Sequence, residues 1–204
     1  MDLLIATHNP AKKDELRNGF SSLIESGINL VFLDDLHITA DPEETGATFL
    51  ANAKLKAEYF AAISRLPTIA DDGGIEIDML GGEPGVHSKR WLGRDAEDAE
   101  LIAYTLSRLQ NIPMQKRTAH FKIVLYYHNP LTGKSESSQA MLDGRIALTV
   151  GPDAKKGFPY RSLFIVDRYA KNYDELNEKE HLSVNHRLLA AQKLIPLVKK
   201  DLLQ

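Results

Sequence analysis

The chain has 204 residues, enough for one sizeable core or two small lobes. Its 43% hydrophobic and 26% charged residues are ordinary for a soluble globular protein, and a formal net charge of −3 argues against a general nucleic-acid binder. With no cysteine there is no disulfide framework, thiolate metal site or cysteine nucleophile, and no apolar run approaches the ~20 residues of a membrane span. The amino terminus lacks a basic region followed by a long apolar stretch, so a cytoplasmic protein with no membrane partner is expected.

In chain order, Leu3 to Ala6 reads as a buried strand leading into the turn Thr7-His8-Asn9-Pro10. Asn9 suits an N-cap and Pro10 the first helical position, which predicts a helix from Pro10 to about Leu23 with Leu16, Phe20 and Leu23 on one face. A short strand is expected at Asn29 to Leu33, then an acidic loop at Asp41 to Thr45. Thr45 is the expected cap of a helix running to about Ile63, although Phe49, Ala53, Tyr59 and Phe60 follow helical spacing only loosely. Pro67 opens a strand expected to end at Asp71-Asp72, with Gly73-Gly74 turning the chain. After a loop at Gly81 to Gly85, Asp95 should cap a helix over Ala96 to Gln110 with Ala99, Ile102, Leu106 and Leu109 inward. Ala119 to Tyr127 and Ser137 to Val150 read as a hairpin around Asn129 to Gly133. Ser183 should cap a final helix carrying Leu188, Leu189 and Ala191, which Pro196 ends or kinks. The order β-α-β-α-β, helix, hairpin, helix predicts an α/β fold with a mixed sheet, as two lobes of one continuous fold over 1–204.

Four constellations carry chemistry. Asp71 and Asp72 are adjacent carboxylates whose mutual repulsion raises pKa unless a cation meets them. Mg²⁺ relieves such repulsion and keeps coordination positions for water and substrate phosphates. An ordinary surface turn would use the same residues. Thr7, Asn9 and Lys12, followed by Glu15, lie at a strand-to-helix turn whose free N–H groups and dipole suit a polyphosphate. A well-capped helix with a solvated lysine fits equally. Glu43 and Glu44 are able to join the aspartates around a metal and a water, or simply to sit exposed before a helix. Phe158-Pro159-Tyr160-Arg161-Ser162-Leu163-Phe164 offers aromatic rings to a base, and Asn185-His186-Arg187 offers donors to a keto edge. Core packing and a polar helix face are the plain alternatives.

Taken together, these segments resemble the inosine triphosphate pyrophosphatase family. Ile5-Ala6-Thr7-His8-Asn9-Pro10-Ala11-Lys12-Lys13-Asp14-Glu15 is similar to its T/S-x-N-x-x-K-x-x-E signature. Glu43-Glu44-Thr45-Gly46-Ala47-Thr48-Phe49 and Asn52-Ala53-Lys54-Leu55-Lys56-Ala57 resemble its second block. Ala70-Asp71-Asp72-Gly73-Gly74-Ile75-Glu76-Ile77-Asp78 resembles A-D-D-S-G-L-x-V-D, and Leu80 to Ser88 resembles L-x-G-x-P-G-x-Y-S. His186-Arg187 resembles the closing S-H-R.

The resemblance implies a two-lobed α/β fold with an elongated mixed sheet, a nucleotide cleft between the lobes and a homodimer. It implies Mg²⁺-dependent hydrolysis of dITP, ITP or XTP to monophosphate and pyrophosphate. Carried over by position, Thr7, His8, Asn9, Lys12 and Lys56 would hold the triphosphate, and Glu43 and Asp72 the metal, in preference to Glu44. Asp72 would activate water with Asp71 and Lys12 beside it, and Phe158, Tyr160, His181, His186 and Arg187 would meet the base.

The chain departs from the pattern chiefly at the base end. Gly73, in the substrate-binding set by position, replaces a serine. Phe158-Pro159-Tyr160-Arg161-Ser162 replaces F-G-Y-D-P, and Asn185 replaces the serine before His-Arg. His181 matches a lysine, with Lys179 nearby, and Lys155-Lys156-Gly157 stands in a usually glycine-rich stretch. A nucleotide binder without turnover, or a triphosphatase for another modified nucleotide, is therefore the alternative expectation.

Overall fold

The computed structural model describes residues 1–152 and 156–203, so Lys155 lies outside the described residues. The strands are β1 (Asp2–Ala6), β2 (Asn29–Phe32), β3 (Thr68–Ile77), β4 (Thr118–His128), β5 (Ser135–Ile146), β6 (Phe164–Val166) and β7 (Lys171–Asn172). The α-helices are α1 (Pro10–Gly19), α2 (Ser21–Glu25), α3 (Phe49–Ser64), α4 (Asp98–Arg108), α5 (Glu178–Val184) and α6 (His186–Leu202). The sheet order is β2-β1-β3-β4-β5-β6-β7, parallel at β2-β1-β3 and antiparallel at β5-β6-β7, which is the expected mixed α/β sheet. Among the described residues, no helix is long and apolar enough to cross a membrane.

The chain forms two compact units: Met1–Asp72 with Ile123–Ala140 and His186–Gln204, and Gly73–Lys122 with Met141–Asn185. In the first unit both sheet faces are covered. Leu3, Ile5 and Ile69 pack with Leu16, Phe20 and Leu23 and with Ala190, Ala191 and Leu194 of α6. The alternate residues Leu4, Ala6 and Ala70 pack against Ala57 and Phe60 of α3. Burial on both faces is why β1 and the start of β3 read as unbroken apolar runs. In the second unit one face is apolar, with Ile75, Ile77, Ala119, Phe121 and Phe164 packed on Leu101 and Leu109. The other face is a polar ladder of Glu76 to Lys122, Thr118 and His120 to Asp78, His120 to Asp143, and Arg145 to Asp167.

Several local expectations are corrected. The first helix breaks at Phe20, which leaves helical geometry (φ −103°, ψ 17°) although Leu16, Phe20 and Leu23 are all buried as expected. An added Cβ on Gly19 would lie 3.0 Å from the Ala191 Cβ, so the glycine permits close approach to α6. Thr48, not Thr45, caps α3, its Oγ1 accepting from the Ala51 N–H at 3.1 Å. The turns of α3 bury Phe49, Asn52, Ala53, Ala57, Phe60 and Ala61 and leave Tyr59 exposed, a clean i, i+3, i+4 stripe once Asn52 is counted in it. Glu97 precedes α4, whose buried residues are Leu101 and Thr105, with Ala99 exposed. Ser183 lies within α5, which is capped by Asn177, and Pro196 sits inside α6 without ending it.

The hairpin forms around Asn129–Gly133 as expected. It is tied to α6 by Asp201, whose carboxylate accepts from Tyr127 Oη at 2.6 Å, Asn129 Nδ2 at 2.7 Å and Thr132 Oγ1 at 3.2 Å, with Lys134 Nζ at 3.0 Å. Burial pushes the Asp201 carboxyl up, but these donors outweigh it and hold its pKa at about 2.

Candidate active site

The largest correction concerns the aspartate pair. β3 does not turn at Asp71-Asp72-Gly73-Gly74 but continues through all four residues to Ile77. Successive side chains on a strand point to opposite faces. Asp71 therefore shares the face of Ile69, toward α1 and α6, and Asp72 the face of Ala70, toward α3. The two carboxylates leave the strand on two adjoining sides.

On the first side, Lys12 Nζ lies 3.0 Å from Asp71 Oδ2 and Arg187 Nε lies 3.5 Å from the same oxygen. Arg187 also pairs with Glu15. Lys12 occupies the first turn of α1, where Asn9 Oδ1 accepts from the N–H groups of Ala11 (2.9 Å) and Lys12 (3.3 Å). Thr7 Oγ1 accepts from the Asn9 N–H at 3.3 Å. Thr7 is buried just past the end of β1. Burial alone would push the Asp71 carboxyl up; Lys12, Arg187 and Lys56 overcome it and hold the group well below the usual carboxylate range.

On the second side, Lys56 Nζ lies 3.8 Å from Asp72 Oδ1 and 2.6 Å from Glu44 Oε1. Asn52, one turn before Lys56 on the buried stripe of α3, hydrogen-bonds Asp72. Asn52 Oδ1 accepts from the Gly46 N–H at 2.7 Å. Asp72 Oδ2 is buried and has no hydrogen-bond partner. Burial, with Glu44 adding to it, pushes the Asp72 carboxyl up to about 6 against the opposing pull of Lys56, Lys12 and Asn52. Lys56 shifts the other way: burial disfavours its charge, but Asp72, Asp71 and Glu44 raise its pKa above the ordinary lysine value.

Thr7, Asn9, Lys12, Lys56, Asp71, Asp72 and Arg187 thus gather in the first unit. Glu43 and His8 do not join them. Glu43 is exposed, and the neighbouring carboxylate that reaches Lys56 and Asp72 is Glu44. His8 turns its Nε2 to the Ala40 carbonyl at 2.9 Å and its ring edge toward Phe60. His186 is buried at the start of α6.

The remaining expected residues lie in the second unit. Gly73 is mid-strand and half-buried. Tyr160 is buried and donates its hydroxyl to the Ser88 carbonyl at 2.6 Å, so its polar end is already engaged; burial raises its pKa. Ser88 Oγ donates to Gly85 O at 2.6 Å and accepts from the Ile75 N–H at 3.2 Å. An added Cβ on Gly74 would fall 2.2 Å from that Oγ. Arg161 is buried, with its guanidinium 3.7 Å from the centre of the half-buried Phe158 ring. His181 presents its ring edge-on to Tyr173 at 5.3 Å.

Sequence reasoning missed Asn52 and gave Glu44 second place. A readable signal existed for Asn52: it falls four residues before Lys56, on the stripe that buries Ala53, Ala57 and Phe60.

The fold and this geometry define a mixed-sheet α/β protein with a carboxylate pair flanked by lysines and a capped helix N-terminus. A family model described as the Ham1 family matches residues 3–197. The chain is 38% identical to the dITP/XTP pyrophosphatase of Thermus thermophilus, over 98% of the chain and 92% of that relative. It is 37% identical to the dITP/XTP pyrophosphatase of Bacillus subtilis, over 97% and 96%. Among solved structures it is similar to a HAM1 protein from Coxiella burnetii (TM-score 0.84, 30% identity, 98% of this chain and 99% of that one). It is also similar to the Staphylococcus aureus Ham1 protein (TM-score 0.83, 28% identity, 98% and 100%). The chain belongs to the Ham1 family.

Proposed function

We propose that this chain is a nucleoside triphosphate pyrophosphohydrolase that converts the non-standard purine nucleotides dITP, ITP and XTP to monophosphate and pyrophosphate. The observation that carries the reading is the division of labour between Asp71 and Asp72. Asp71 has Lys12 at 3.0 Å and Arg187 at 3.5 Å, which hold its carboxyl well below the usual range, whereas Asp72 has Lys56 at 3.8 Å and burial pushes its carboxyl up. The relatives named dITP/XTP pyrophosphatase at 37–38% identity support the substrate class.

In this reading Lys12, the Thr7 hydroxyl and the Asn9 side-chain amide hold the triphosphate, and Lys56 offsets its charge. Asp72 takes the proton of the attacking water, burial making its carboxylate a stronger proton acceptor than an ordinary one. Asp71 orients Lys12 and Arg187 rather than moving a proton. Phe158 is the ring on which the base stacks, as the family resemblance implies.

The donor set suits Mg²⁺. Asp72 and Glu44 are oxygen donors, and Asp72 Oδ2 is buried and unspent. Among the described residues no group of three His or acidic side chains converges as a metal cage. Mg²⁺ commonly uses one or two carboxylates and completes its shell with water and substrate oxygens. When bound, the ion offsets charge on the triphosphate and polarises its phosphoryl oxygens.

We place the enzyme in the cytoplasm as a homodimer, following the family resemblance, without a nucleic-acid partner given its net charge of −3. The test is a panel of dITP, XTP, ITP and the common triphosphates with Mg²⁺ and pyrophosphate detection. Pyrophosphate release with the keto purines is expected. Release from no member refutes the proposal, and nucleotide binding without release selects a binding protein instead.

A further inference from the structure

Phe158 and Arg161 lie three residues apart in one tight turn, closed by the Arg161 N–H donating to the Phe158 carbonyl at 3.1 Å. The Arg161 guanidinium sits 3.7 Å from the centre of the Phe158 ring and 4.8 Å from that of Tyr173. Tyr173 is fully buried and locked in turn by the edges of Phe121 (6.1 Å) and His181 (5.3 Å). Of the three, Tyr173 and Arg161 are buried and Phe158 is half-buried. A planar cation close to the faces of two rings is attracted to both and resists their displacement.

We infer that Arg161 is a positioning residue for base binding: held against both Tyr173 and Phe158, it fixes the Phe158 ring on which the nucleobase stacks. This inference rests on the proposed function for the role of Phe158 and adds a determinant of its orientation. Arg161 does not touch the reacting phosphates in this scheme. Its loss therefore weakens binding of anything that carries a base and spares whatever lacks one. Stacking of one base on an aromatic ring is a substantial share of nucleotide affinity, so loss of its orientation is expected to cost about tenfold.

The experiment compares wild type with Arg161→Ala, Arg161→Lys, Phe158→Leu and the double variant Phe158→Leu/Arg161→Ala. It reads KM and kcat for dITP, Kd for IMP by calorimetry, and inhibition by inorganic tripolyphosphate, a probe without a base. Expected are a roughly tenfold rise in KM and Kd for Arg161→Ala, kcat within about twofold, and unchanged tripolyphosphate inhibition. Arg161→Lys should fall between, and Arg161→Ala should add nothing in the Phe158→Leu background. Equal weakening of tripolyphosphate, an unchanged KM and Kd, or additive effects of the two substitutions would overturn the inference. If Arg161→Ala does not fold, Arg161→Lys and Phe158→Leu decide it on the same readouts. A wild type that binds IMP but releases no pyrophosphate defeats the proposed function, while the Kd comparison still decides the role of Arg161. A wild type that does not bind IMP defeats both.

Discussion

Replacing Asp72 with Asn should produce a protein that is nearly inert and yet more stable than its parent. The two effects have one cause. The carboxyl is buried, 7% exposed, and its pKa rises from an ordinary 3.8 to about 6. Between those values the unfolded chain releases a proton that the folded chain retains. Stability contributed at this residue is therefore lost as pH climbs through that window, and the full penalty applies above about pH 6. At about 1.4 kcal/mol per pH unit the penalty reaches about 3 kcal/mol. Asn is the same size, carries no charge and keeps an amide oxygen for the Asn52 contact. In metal-free buffer with chelator at pH 8, Asp72→Asn should raise unfolding stability by about 1–3 kcal/mol, and the gain should shrink toward zero near pH 4. Removal of a proton acceptor should lower kcat with dITP and Mg²⁺ by a factor of about 10²–10⁴. Urea unfolding at both pH values, paired with a pyrophosphate-release assay, checks both halves. A variant less stable than wild type at pH 8, or one that keeps activity within tenfold, refutes the reasoning.

Three further outcomes are expected. Glu44→Gln should raise the Mg²⁺ concentration for half-maximal activity by about tenfold, and Glu43→Gln should leave it nearly unchanged, as read in metal titrations; the reverse order would restore Glu43 as the ligand. Gly74→Ala should destabilise by about 1–3 kcal/mol in urea unfolding, because the new Cβ would fall 2.2 Å from Ser88 Oγ and 2.7 Å from the Gly85 carbonyl. Asp201→Asn should cost about 2 kcal/mol at neutral pH through weakened bonds to Tyr127, Asn129 and Thr132. The Asp201 stability is present above its ordinary pKa of 3.8 and is lost as pH falls through about 2, so the gap between variant and wild type should close on acidification.

Much of the architecture was legible because it follows from local chemistry. Asn9 and Pro10 start α1 where their backbone preferences say they should, and the Asn129–Gly133 turn forms the hairpin. Motif order led to the Ham1 family, and the gathering of Thr7, Asn9, Lys12, Lys56 and the aspartates followed it. The failures have a physical pattern. Asp and Gly favour turns, yet Asp71-Asp72-Gly73-Gly74 is extended because the strand gives each carboxylate a cation on its own face. Thr45 and Thr48 are equivalent caps locally, and the choice depends on Asn52 holding the Gly46 N–H. Glu43 and Glu44 differ only in where the loop turns them, which no spacing rule encodes. The local sequence leaves open whether Arg161 turns inward or to solvent, and its burial beside the Tyr173 ring comes from tertiary packing. Each missed feature depends on a partner contributed by tertiary packing.

The alternation of β3 makes the site sensitive to parity. Asp71 and Asp72 are neighbours along the chain but belong to different layers, one answering to α1 and α6 and the other to α3. Inserting a single residue between Ala70 and Asp71 would exchange those allegiances, handing each helix the wrong acid. An odd-step slide of the strand would dismantle both halves at once.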